Sequence, residues 1–384
     1  MTSAGVGSAL SSGAARLMTA RRVVVKIGSA LLVDQVKGQI HRAWLDSVAD
    51  DVAALRAAGV EVVIVSSGAV AIGRRHLSLP NRPLRLEEKQ AAAATGQGRL
   101  AHAYQEVLAR HDITAAQVLL TLGDTEDRRR YLNGRNTLET LLKFGAIPVI
   151  NENDTVATQE IRFGDNDRLG ARVAMMVGAD ALVLLSDIDG LYTADPKVDP
   201  TATLIPEVHS LSPEIMAMAG EARPGVGTGG MVTKLIAARI AMGAGCAMAI
   251  APGKVMHPLA ALQNGGPCTW FLPTETPASA RKQWIAGSMK PAGTVVLDAG
   301  AVAALRAGKS LLPAGVVALD GTFARGDTVT LVDGDGRVLG KGLIGYDATD
   351  AAIIKGHKSG AIEALLGYRG REELIHRDDL VLDL

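Results

Sequence analysis

Two lysines stand where a lysine can do more than solvate a surface. Lys26 lies at the end of the apolar run in "VVVKIGSALL", two residues before Gly28. Lys234 closes "GTGGMVTK" and opens an Ala-rich helical stretch. A lysine entering a glycine turn at a strand end can reach a phosphate whose oxygens are held by backbone N–H groups. A solvated lysine at a strand terminus has the same local sequence. Thr228 to Gly230 can present a nest of N–H groups. A lysine in the first turn of a helix is opposed by the helix dipole, which a nearby anion would relieve. The alternative is a glycine-rich entry into a helix. The residue order differs from the common phosphate loop, where lysine follows glycine and precedes Ser or Thr.

Other polar residues sit in similar places. "VSSGAVAIG" sets Ser66, Ser67 and Gly68 after an apolar run. Small residues there let the backbone approach a ligand, and a serine can bind a carboxylate or phosphate or cap a helix. The densest polar stretch is "INENDTVATQEIRFGDNDRLGARVA", with Asn151, Glu152, Asn153, Asp154, Asp165, Asn166 and Asp167. Asp165 or Asn166 is expected to cap the helix that follows. Its N-terminus would offer N–H donors to an anion, and the acids could bind an ammonium or a cation. An amino acid carries both charges; a capped loop is the alternative reading. Ser186 and Asp187 end a further apolar run in "LLSDIDGLYTADP". The spacing of the helix–loop–helix calcium motif is absent there.

These residues need elements to hold them. The runs "RVVVKI", "VEVVIV", "AIPVI", "ADALVLL" and "AGCAMAI" alternate with helical stretches such as "WLDSVADDVAALRAAG", which ends on Gly59 as an expected C-cap. Continuous apolar strands separated by helices imply a mostly parallel sheet covered on both faces, with ligands outside the strands' carboxyl ends. Those ends are "KIGSA", "SSGA", "NENDT", "SDIDG" and "APGK", where the polar residues gather. The reading divides the chain into a tail (1–20), a large α/β domain (21–272), a connector (273–290) and a small, mainly β module (291–384) with a hairpin signal at "DGDG". The tail is rich in Ala, Ser and Gly, lacks acids, and is read as disordered rather than as a targeting segment.

Composition narrows the partners. Lys plus Arg is 40 and Asp plus Glu is 40, so no global attraction to nucleic acid or an anionic membrane is implied. Aromatics are 3%, few for a surface that stacks bases. No apolar run reaches the ~18 residues of a transmembrane helix. Two cysteines, Cys246 and Cys268, make neither a disulfide framework nor a zinc spacing, and the histidines form no ligand pair at i, i+4.

Together and in this order, "VVVKIGSALL", "VIVSSGAVAIGRRHL", "LLTLGDTEDRRRYLNGRNTL", "PVINENDTVATQEIRFGDNDRLGA", "LLSDIDGLYTADP" and "GTGGMVTK" resemble the amino-acid kinase family. The stretch from Pro291, with "SLLPAGV" and "FARGDTV", resembles a PUA domain. The resemblance implies an α/β fold class: an αβα sandwich around a mainly parallel sheet, followed by a PUA-like domain. It implies that Lys26 binds ATP phosphates, which Thr228, Gly229, Gly230, Met231, Val232, Thr233 and Lys234 also hold. Ser186 and Asp187 would line the nucleotide site. Ser67, Asp154 and Asn166 would bind L-glutamate. Asp167 would position Lys26 and Lys234, and these three would form the catalytic set. The implied reaction moves a phosphoryl group from ATP, with Mg²⁺, to the side-chain carboxylate of L-glutamate, the first step toward proline. A cytoplasmic homo-oligomer inhibited by proline is implied too. PUA modules often bind RNA; the balanced charge and scarce aromatics argue against an RNA-binding function here.

Overall fold

The structure, a computed structural model, describes residues 16–34, 37–157, 165–219, 230–287 and 291–382. The chain forms two compact units: Met1–Asp127 with Asn133–Pro277, and Arg128–Leu132 with Ala278–Leu384.

In the first unit the apolar runs become strands: β1 (Arg22–Ile27), β2 (Glu61–Val65), β3 (Ala115–Leu120), β4 (Ile147–Glu152) and β5 (Ala181–Ser186). Two short strands, β6 (Leu191–Tyr192) and β7 (Leu204–Ile205), pair with each other. Then come β8 (Glu207–Val208), β9 (Ala247–Pro252) and β10 (Thr269–Phe271). The eight-stranded sheet runs β3-β4-β2-β1-β5-β9-β10-β8. Its pairs are parallel except β9–β10. Strand β3 lies at the edge and is half exposed, so it lacks the continuous apolar signal of its neighbours.

Successive strand residues point to opposite faces. Val23, Val25 and Ile27 face a core shared with Leu45, Val48 and Val52 of α1 (Arg42–Ala57). Helix α2 (Ala69–His76) and Leu100, Tyr104 and Val107 of α3 (Leu86–Ala109) join the same core. By the same alternation Val24 and Lys26 face the other way, toward α4 (Asp165–Val177). There a Cβ on Gly170 would stand 3.4 Å from the Lys26 Cβ. The sheet is thus covered on both faces, as its buried strands require. Helix α1 ends at Ala57, with Ala58 as its C-cap and Gly59 next in the left-handed region at φ 85°. Gly59, expected as the C-cap, therefore sits one residue beyond the cap the helix has.

Helices α2 and α3 meet backbone to backbone. A Cβ on Gly73 would lie 1.7 Å from the Ala92 carbonyl oxygen, and one on Gly96 would lie 1.9 Å from that of Ala69. Neither oxygen can move without moving its helix. Gly96→Ala should therefore destabilise by roughly 1–3 kcal/mol or more despite alanine's better helix propensity. Gly98→Ala, on the same helix with nothing within 4 Å, should be neutral or stabilising. Thermal melts of the two variants check this; equal behaviour would mean that the helices separate freely.

The expected tail over residues 1–20 lies outside the described residues up to residue 15. Residues 16–19 are helical, and Leu17 is fully buried in the core beside β1. Residues 16–19 thus belong to the first unit rather than to a tail ending at residue 20, because Leu17 finds an apolar partner surface. The stretch 273–290 contains a helix, Pro277–Gly287.

The second unit holds β11 (Gly293–Leu297), β12 (Val316–Gly321), β13 (Thr328–Val332), β14 (Val338–Leu343) and β15 (Leu380–Leu382), in the order β12-β11-β13-β14-β15. Its core contains Val295, Leu297, Val329, Leu331 and Ile354. "DGDG" turns β13 back on β14 as a hairpin, with Asp333 Oδ1 accepting from the backbone N–H groups of Asp335 and Arg337.

Candidate active site

Helix α5 (Met231–Gly243) brings Lys234 to α4, and the face alternation of β1 brings Lys26 there from the sheet. Both ammonium groups converge on one carboxylate. Lys26 Nζ lies 2.5 Å from Asp167 Oδ1, and Lys234 Nζ lies 3.2 Å from Asp167 Oδ2. The Thr233 hydroxyl is 3.1 Å from the same Oδ2. All three charged residues are buried: Lys26 is 7% exposed, Lys234 5% and Asp167 1%. Burial pushes the Asp167 carboxyl up, but the two ammonium groups and their hydrogen bonds outweigh it and hold the group below the usual carboxylate range. Two buried ammonium groups directed at one carboxylate present N–H donors and positive charge in one place, which suits an anion.

The residue before Asp167 serves a different cluster. Asn166 is the second residue of α4 rather than its cap, because the helix already includes Asp165. Its Nδ2 instead donates to Ser66 O at 2.9 Å, Ser67 Oγ at 2.7 Å and Asn151 Oδ1 at 3.2 Å. Gly68, at φ 109°, makes the turn from β2 into α2 that leaves Ser67 facing Asn166. A Cβ there would also come within 2.9 Å of Val33. Asn151 is 2% exposed, and its Nδ2 donates to Gln97 Oε1 at 2.7 Å. The Ser66 hydroxyl meets the Tyr104 hydroxyl at 2.9 Å. Ser66 and Asn151 stand among the polar residues the sequence singles out but were given no role, and Gln97 and Tyr104 were not expected at all. "INEND" marked the neighbourhood of Asn151, while nothing in the helical run around Gln97 distinguishes it from a surface residue.

Ser186 and Asp187 lie at the end of β5, next to β1 in the sheet. The buried Ser186 hydroxyl donates to Asp187 Oδ1 at 3.1 Å, and Asp187 is exposed. Asp154 is partly buried in the turn after β4, and burial pushes its carboxyl up to about 6. Gly230, Met231, Val232 and Thr233 form the N-cap and first turn of α5. Thr228 and Gly229 lie outside the described residues.

The buried anion site at the carboxyl ends of a parallel sheet and the polar cluster beside it define a candidate phosphoryl-transfer centre. The model of the amino acid kinase family matches residues 21–252, and that of the PUA domain matches residues 293–366. The chain belongs to the amino acid kinase family. Within it, the chain is similar over nearly its whole length to proteins named glutamate 5-kinase. That of Paramagnetospirillum magneticum is 67% identical over 96% of this chain and 99% of its own. That of Rhodospirillum rubrum is 65% identical over 94% and 96%. That of Allorhizobium ampelinum is 60% identical over 97% and 95%.

Proposed function

We propose that the chain transfers the γ-phosphoryl group of ATP to the side-chain carboxylate of L-glutamate. The products are ADP and L-glutamyl 5-phosphate, the first step toward proline. The observation that carries this is the start of α4. Its consecutive residues Asn166 and Asp167 join a cluster of amides and hydroxyls to a pair of buried ammonium groups. The first suits an amino acid and the second a phosphoryl group, and a group in transit must meet both. The similarity to named glutamate 5-kinases supports the choice of amino acid.

The γ-carboxylate is already a nucleophile, so no general base is needed. Catalysis is then positioning plus neutralisation of charge on the transferring group. Lys26 and Lys234 neutralise that charge, and Asp167 sets their spacing. The first turn of α5, with Thr228 and Gly229, holds the phosphates, while Ser186 and Asp187 contact the nucleotide. Ser67, Asn166 and Asp154 hold L-glutamate. Among the described residues no three His, Cys, Asp or Glu side chains converge to hold a metal. Mg²⁺ bound with the ATP phosphates would neutralise part of their charge. Phosphoryl transfer is assigned to residues 21–272, since every proposed site residue lies there. The resemblance also supports inhibition by proline and a cytoplasmic homo-oligomer. Among the described residues no helix is long and apolar enough to cross a membrane. The test is a substrate panel with ATP and Mg²⁺, trapping acyl phosphate as hydroxamate. L-glutamate should far exceed L-aspartate and N-acetyl-L-glutamate; equal use of N-acetyl-L-glutamate would contradict a pocket that reads a free amine.

Asp154 adds a pH signature. It must be ionised to hold the substrate's ammonium, and its carboxyl lies at about 6. With ATP saturating, kcat/KM for L-glutamate should be level above neutrality and fall as pH drops through that value, because kcat/KM reports the free enzyme. Asp154→Asn should lower kcat/KM and abolish this limb. The sign for stability is opposite. A carboxyl raised in the folded state binds more protons folded than unfolded between its ordinary value and about 6, so stability declines as pH rises across that window. Asp154→Asn should thus raise the Tm of the ligand-free protein above pH ~6 while impairing turnover. A pH profile unchanged by the substitution would contradict the assignment.

A further inference from the structure

We infer that Gln97 is a positioning residue for substrate selection. Through Asn151 it helps to hold the side-chain amide of Asn166, whose oxygen, not its NH₂ group, faces the α-ammonium of the substrate. The inference rests on the reading of this site as one for L-glutamate.

The two ends of an amide side chain have nearly the same shape, so its polarity must be imposed by partners. Two backbone groups impose it here. The Glu152 N–H can only donate, and it donates to Asn151 Oδ1 at 2.9 Å. Asn151 Nδ2 is thereby turned to Gln97, whose Oε1 accepts it at 2.7 Å. At the other end the Ser66 carbonyl can only accept, and it takes Asn166 Nδ2 at 2.9 Å. Asn151 Oδ1 accepts from the same Nδ2 at 3.2 Å, and Ser67 Oγ at 2.7 Å. A flipped Asn166 would set its oxygen against the Ser66 carbonyl and Asn151 Oδ1. Asn166 Oδ1 is therefore the end left for a ligand, and none of the described residues donates to it.

Gln97 matters because Asn151 is 2% exposed. Without an acceptor at residue 97, its NH₂ group would be buried unpaired, and the Asn151 side chain, no longer pinned at that end, would shift toward other partners. Such a shift takes away one of the three acceptors that hold Asn166 Nδ2, so the Asn166 amide keeps its polarity through Ser66 O and Ser67 Oγ but is held less firmly against the substrate. A site built to hydrogen-bond an N–H group discriminates strongly against analogues that lack it. The relay thus bears on recognition of the free amine, while the lysine pair on the far side of Asp167 is untouched.

The test uses the full-length chain. Gln97→Leu should raise KM for L-glutamate about tenfold, with kcat and KM for ATP within about threefold. Its preference for L-glutamate over glutarate, which has the carboxylates but no amine, should shrink. Gln97→Glu keeps an acceptor oxygen and should restore the KM. In an Asn166→Ala background Gln97→Leu should add little, because the two act in series. An unchanged KM for L-glutamate would overturn the inference. So would a parallel rise in both KM values with a lowered Tm, or additive effects in the double variant. Failure of the wild-type chain to form hydroxamate from L-glutamate would instead overturn the functional reading itself.

Discussion

Lys234→Ala should lower kcat by roughly 10²–10³ while leaving KM for L-glutamate close to that of the wild type. Lys234 shares Asp167 with Lys26 and lies on the α5 side of it, away from the Asn166 cluster proposed to hold the amino acid. A cation that meets the transferring phosphoryl group works mainly as negative charge redistributes in the transition state, so its loss falls on turnover rather than on binding. The fold should survive, because Asp167 keeps the Lys26 ammonium and the Thr233 hydroxyl. Lys234→Arg should restore activity only in part. The guanidinium is planar and larger, and residue 234 is 5% exposed, with little room for it. Steady-state kinetics by hydroxamate trapping, with each substrate varied in turn, would check this. Near-normal turnover in Lys234→Ala would mean that the glycine-rich stretch is only an entry into α5.

Asp167→Asn should be the most damaging single change to stability. It leaves two buried ammonium groups facing a neutral amide. Removing one partner of a buried ion pair typically costs about 3–5 kcal/mol, because the remaining charge is uncompensated. At about 2–4 °C per kcal/mol for a domain of this size, Tm should fall by roughly 6–20 °C. ATP supplies the missing negative charge, so it should raise Tm more in the variant than in the wild type. Turnover should be lost even with ATP bound, since the lysines are no longer held at a fixed separation. Melts with and without ATP decide the matter. A variant with unchanged Tm would show that the two lysines do not depend on this carboxylate.

Much of the architecture was legible in local sequence. Continuous apolar runs marked β1, β2, β4, β5 and β9, and helical periodicity marked α1, because burial imposes a repeat that can be read over a dozen residues. Polar residues at strand ends and helix starts included Lys26, Ser67, Asn166, Asp167 and Lys234, and the family resemblance supplied the roles proposed for them. "DGDG" marked the β13–β14 hairpin through turn chemistry alone. The tertiary structure decided who meets whom. Lys26 and Lys234 meet on Asp167 because β1 turns alternate residues to opposite faces and α4 and α5 cover the face that carries Lys26. The sequence suggested Asp165 or Asn166 as a helix cap, whereas Asn166 lies within α4 and reaches across to Ser66 and Ser67, about a hundred residues away. Gly73 and Gly96 look like helix-weakening residues until α2 and α3 are seen touching through their backbones. Gln97 carries no local mark at all, since its partner comes from another strand end. Periodicity and turn preferences act within a few residues, so the sequence by itself determined the elements and the kinds of group at their ends. The identity of each polar partner depends on which strand ends lie side by side in the sheet, and only the assembled sheet decides that.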